Sequence, residues 1–65
     1  MLLYTGHKIV INLVDGSAIR GRLGWPWARG CLRILDAETI DDGAVDDVPG
    51  VLIVPKARIM LVQVL

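Results

Sequence analysis

Along residues 7–23, "HKIVINLVDGSAIRGRL", apolar and polar positions alternate with period two. Ile9, Ile11 and Leu13 fall on one side; Lys8, Val10, Asn12 and Val14 fall on the other. This period predicts a strand. Asp15-Gly16 is a strong short hairpin signal. Beyond it, Ala18, Arg20 and Arg22 alternate with Ile19, Gly21 and Leu23. The pattern therefore predicts a hairpin whose core side carries Ile9, Ile11, Leu13, Ile19 and Leu23. Gly21, with no side chain, suits a bend or a close backbone approach.

Further on, "CLRILDA" reads as a third strand and "VLIV" as a fourth. "ETIDDGAVDDVPG" between them is polar, acidic and rich in turn formers, and predicts a loop ending in a Pro-Gly turn. Pro55 cannot donate to a ladder and marks a break. "PKAR" predicts a tight turn or one 3₁₀ turn, and "IMLVQVL" a fifth strand. "MLLYTG" is long enough only for a short N-terminal turn or helix. The expected architecture is all-β: one domain over residues 1–65, five short strands curled into a small, strongly bent antiparallel barrel of SH3-like type.

Composition then asks what completes so small a fold. A chain of 65 residues buries only about 60% of its unfolded surface, which leaves a lone monomer marginal. Disulfides, a metal or oligomerisation are the usual remedies. One cysteine and one histidine make neither an internal disulfide nor a good metal set, so no metal or cofactor is expected. The chain is 54% hydrophobic, more than a globule of this size can hide, so part of that surface belongs at subunit interfaces.

The formal net charge is zero, which removes any global basic field for nucleic acid. Charge is uneven, however: most basic residues lie within 8–33 and most acids within 36–47. Lys8, Arg20, Arg22, Arg29 and Arg33 read as a solvated outer face, as salt-bridge partners of the acidic loop in the same or an adjacent subunit, or as an anion- or RNA-binding footprint. No apolar run approaches the roughly 18 residues of a membrane span. The unpaired Cys31 and the lack of a leader segment point to the cytoplasm. Asp41, Asp42, Asp46 and Asp47 lack the spacing of a calcium loop. His7 has no metal-ligating neighbour in sequence. No nucleophile–base pairing or phosphate-cradling glycine loop stands out, so the expectation is that the chain is not an enzyme.

Gly6, Ile9, Ile11, Leu13, Asp15-Gly16, Ile19, Gly21 and Leu23, followed by "LRILDA", are spaced without a gap as in the first motif of the Sm and Sm-like proteins. "VLIVPKARIMLVQV" is similar to their second motif. The resemblance covers nearly the whole chain. It implies a bent five-stranded barrel and a homo-oligomeric ring closed by pairing the fourth strand of one copy with the fifth of the next. Leu52, Val54, Ile59, Leu61 and Gln63 would then form the subunit interface.

The resemblance also implies an RNA pocket, and here the chain departs from the family. The loop-positioning Asp becomes Trp27, the base-stacking residue Arg29 and the base-reading Asn Cys31; the Arg-Gly of the second motif falls on Pro55-Lys56. A thiol cannot reproduce an amide's base readout. Arg29 can still stack on a base and Lys56 can hold a phosphate. Trp25, Pro26 and Trp27 read as packing on a barrel end or on a neighbouring subunit, as a stacking platform, or as a peptide dock. The preferred expectation is a non-enzymatic structural or interaction ring. The alternative is an RNA-binding ring whose diverged site uses Trp25, Trp27, Arg29, Cys31 and Lys56. A monomeric peptide-binding barrel is a third reading.

Overall fold

The computed structural model describes residues 6–24 and 30–65. Five strands, β1 (Lys8–Leu13), β2 (Ala18–Leu23), β3 (Cys31–Asp41), β4 (Ala44–Pro55) and β5 (Ile59–Val64), form one antiparallel sheet in the order β4-β3-β2-β1-β5. A single 3₁₀ turn, Lys56–Arg58, joins β4 to β5. The N-terminal turn or helix expected over the first residues falls outside the described residues, apart from Gly6.

The first hairpin follows the alternation. Ile9 and Ile11 are fully buried, Ile19 and Leu23 nearly so, and Leu13 packs against them. Its connection is a three-residue loop rather than a two-residue one. The Gly16 N–H donates to the Leu13 carbonyl at 3.1 Å, and the Leu13 N–H donates to the Ser17 carbonyl at 2.9 Å. Gly16 takes φ +94°. This is a type I turn completed by a left-handed residue, the usual three-residue hairpin. Asp15 secures it by accepting from both the Ser17 N–H, at 2.9 Å, and the Ser17 hydroxyl, at 2.6 Å.

The segment 38–50 corrects the sequence reading. It is not a loop; β3 runs on to Asp41 and β4 begins at Ala44. Asp41 faces Ala44 across a two-residue turn in which Asp42 and Gly43 have φ +49° and +82°. Two positive φ values make a type I′ turn, whose twist matches that of the strands it joins. The charges in this hairpin do not prevent strand formation, because most of its distal half lies beyond the core and its side chains meet solvent.

The bend is built across three strands at one level. Gly21 of β2 faces two residues of β3, Asp36 and Ala37, and Asp36 itself faces both Pro49 and Gly50 of β4. Asp36 takes φ +52°. Aligned bulges of this kind sharpen twist and turn a flat sheet into a corner. The core inside the corner is Ile9, Ile11, Ile19, Leu23, Leu32, Ile34, Ala37 and Val54. Among the described residues Ile9, Ile11, Leu23 and Ile34 are the largest fully buried side chains, each stabilising the fold by about 1.5–3 kcal/mol.

Candidate assembly edges and ligand-binding site

The strand order leaves β4 and β5 as the two edges of the sheet. Val45, Val51 and Ile53 on β4, and Met60, Leu61 and Val64 on β5, are exposed large hydrophobics, as is Leu65 just beyond. Open edges with apolar side chains are templates for further strand pairing.

Side-chain direction on these edges follows from register. Leu52 and Val54 face Ile34 and Leu32 across the β3–β4 ladder, so they point into the barrel. Val54 is buried in the chain's own core, and Leu52 and Ile59 pack against that core. Leu61 and Gln63 are exposed, opposite Asn12 and Val10. The expected interface set therefore divides. Leu52, Val54 and Ile59 lie on the inner side of the two edges, Leu61 and Gln63 on the outer side. Val51, Ile53 and Met60 are exposed apolar edge positions that alternation alone did not single out.

The other expected site draws on two places in sequence, and the structure joins them. Cys31 pairs with Pro55 at the start of β3, and the Lys56 N–H donates to the Gly30 carbonyl at 2.6 Å. The Gly24 N–H donates to the Arg33 carbonyl at 2.7 Å, which ties the end of β2 to β3. The Cys31 thiol is free and half-buried, and Lys56 is exposed. Leu32, Ile59 and Val62 join Lys56 around a shallow apolar concavity beside this junction. Trp25, Pro26, Trp27 and Arg29 fall outside the described residues.

Chains of known structure share this fold. A heptameric archaeal Sm protein superposes with a TM-score of 0.84 at 26% identity, covering 98% of this chain and 93% of that one. The chain has the Sm-like fold. The SmAP1 heptamer of P. aerophilum matches with a TM-score of 0.85 at 26% identity, over 98% of this chain and 85% of that one. A Pyrococcus abyssii Sm protein in complex with a uridine heptamer matches at 0.85 and 22% identity, over 98% and 90%. No family model and no curated protein matches the sequence.

Two basic residues on the outer face of this Sm-like barrel, Arg20 and Arg22, are paired to acids within the chain. Arg20 donates to Glu38 through Nε at 3.2 Å and Nη2 at 3.1 Å, and Arg22 donates to Asp36 at 2.6 Å. With Lys8 and Leu65 they line a second open concavity. The sequence reading allowed for pairing to the acids without naming partners; β2–β3 register puts Arg20 directly opposite Glu38, while Arg22 faces Leu35 and reaches the adjacent Asp36. The Asp15 carboxyl is held below the ordinary carboxylate range, first by the Ser17 hydroxyl and then by the Ser17 N–H. Among the described residues no three His, Cys, Asp or Glu side chains group as a metal site.

Proposed function

We propose that copies of this chain close into a ring by pairing β4 of one with β5 of the next, and that the ring is a non-enzymatic structural or interaction module in the cytoplasm. The observation that carries the reading is that, among the described residues, most exposed large hydrophobics lie on the sheet's two free edges. Pairing them satisfies the open backbone groups and removes that apolar surface from water. The heptameric assemblies of two similar Sm proteins support it. The half-buried free thiol of Cys31 suits a reducing compartment. Native mass spectrometry with sedimentation velocity is the test. One discrete species of several 7.1 kDa chains is expected; a monomer at micromolar concentration overturns the ring.

A second reading, RNA binding, is favoured by one observation: Gly30-Cys31 and Pro55-Lys56 meet at one end of the barrel. Ring symmetry would repeat the exposed ammonium of Lys56 around that end. The uridine heptamer bound by a similar Sm protein gives the chemistry to test. Polarisation of labelled oligouridine and oligoadenine, followed from low to high salt, decides it. Salt-sensitive micromolar binding supports this reading. No binding at about 50 mM salt, where phosphate contacts are strong, removes it.

A further inference from the structure

Resting on the ring reading, we propose that the β4 edge is divided, with Val51–Val54 accepting β5 of a second copy and Asp46, Asp47 and Pro49 refusing it, so that these three residues set the register of assembly. β4 has 12 residues and β5 has 6. One β5 can therefore cover only about half of the β4 edge, and the ladder alone does not say which half.

The two halves differ in charge and in how far the core reaches the edge, though each carries a proline and exposed apolar side chains. In the distal half, Ala44, Val45, Asp46 and Asp47 are all exposed. Pro49 has no N–H to donate, and the two carboxylates would be desolvated by an arriving strand. Charge and proline are the devices by which natural edges are blunted against pairing. In the proximal half, Val51 and Ile53 are exposed apolar side chains, while Leu52 and Val54 extend the core to the edge. An incoming β5 would lay its inward Val62 and Val64 against Leu52 and Val54, continuing one core into the next.

Asp47 is the acidic residue of β4 nearest the accepting half. It stands opposite Glu38, and directly opposed like charges weaken a strand pair. Glu38 is already engaged by Arg20. An exposed carboxylate on an open edge, opposite a position already paired to Arg20, fits an excluding role. The corner at Pro49-Gly50 separates the refusing half from the accepting half, so an attached copy stops at the bend.

The test is hydrogen exchange on the assembled wild-type protein, alongside sedimentation velocity of wild type and of an Asp46→Thr/Asp47→Thr/Pro49→Thr variant. Edge-facing amides of residues 51–54 should exchange at least about tenfold more slowly than those of residues 45–48, since protection follows local opening. The variant should spread into larger or mixed species where wild type gives one. A wild-type assembly in which residues 45–48 are protected as strongly as 51–54 overturns the divided edge and leaves the ring standing. So does a variant with the wild-type size distribution. A monomeric wild type instead overturns the ring reading itself.

Discussion

Gly21 and Leu35 lie so close that a Cβ on residue 21 would stand 2.8 Å from the Leu35 carbonyl oxygen, and 2.6 Å from Cγ2 of Ile34. The first neighbour is backbone, fixed in the sheet at the level where three strands bend together. Gly21→Ala must therefore push β2 away from β3 at the corner. Overpacking of this kind costs about 1–3 kcal/mol. Urea unfolding at fixed protein concentration should show a lower midpoint for the variant. An unchanged midpoint would mean that the corner yields freely and that the bend is not set by this contact.

Leu61 is exposed on the outer side of β5, whereas Leu52 packs against the core. Replacing each by Asp should therefore have different consequences. Leu61→Asp places a charge in an apolar seam and should dissociate the assembly while leaving the β-sheet circular dichroism intact. Leu52→Asp should also lower fold stability, by at least about 2 kcal/mol, because the carboxylate is drawn toward the core. Sedimentation velocity with thermal melts separates the two effects. If both variants remain fully assembled, β4 and β5 are not the joining edges.

The difference between those two leucines shows where the sequence was legible. The first hairpin was readable because no bulge interrupts β1–β2 pairing, so alternation maps directly onto burial. β4 and β5 were not, because each departs from simple alternation. An extra residue on β4 at Pro49-Gly50, and Met60 on β5, each reverse the faces beyond them. Leu52, Val54, Ile59, Leu61 and Gln63 share a parity within each strand, yet Ile59 and Leu61 end on opposite sides. The long second hairpin was hidden by its acids, although Asp42-Gly43 is the same turn signal that located the first. The meeting of Cys31 with Pro55 is a register fact, beyond the reach of local pattern; only the resemblance to Sm motifs pointed to it.

The Arg20–Glu38 pair is solvent-accessible, with side-chain exposures of 48% and 33%. A double-mutant cycle with Arg20→Ala and Glu38→Ala should give a coupling of roughly 0.2–1 kcal/mol that shrinks in about 1 M salt, as exposed pairs do. A salt-insensitive coupling well above that range would show that the pair is shielded, for example by a neighbouring copy.

Asp15 offers a pH prediction with a definite sign. Its folded carboxyl titrates below the ordinary carboxylate range, first because the Ser17 hydroxyl and then because the Ser17 N–H donates to the charged form. The stability it contributes is therefore complete above its unfolded value and declines as pH falls through the lower folded one. Ser17→Ala should move the Asp15 midpoint back up toward the ordinary carboxylate range and weaken this part of the acid dependence. Carbon-detected NMR titration of the side-chain carboxyl reads it directly. A midpoint that does not move in the variant would place the cause elsewhere, first in the backbone N–H of residue 17, which the substitution keeps.

Lys56 separates assembly from ligand binding. Its backbone N–H holds Gly30, but its side chain is exposed and outside the core. Lys56→Ala keeps the backbone bond and removes only the ammonium. The ring should therefore assemble unchanged by native mass spectrometry. If the ring binds RNA at this end, oligonucleotide affinity should fall about equally across base sequences, and the salt slope should drop by roughly one per Lys56–phosphate contact. Cys31→Asn on the same background tests the base reader separately, since an amide supplies a donor and an acceptor that a thiol does not. A gain of uridine over adenine preference in Cys31→Asn would show that the pocket geometry persists and that only its reading group has been exchanged. Equal, negligible binding in all three proteins would leave this end of the barrel as packing, and the structural ring as the function that remains.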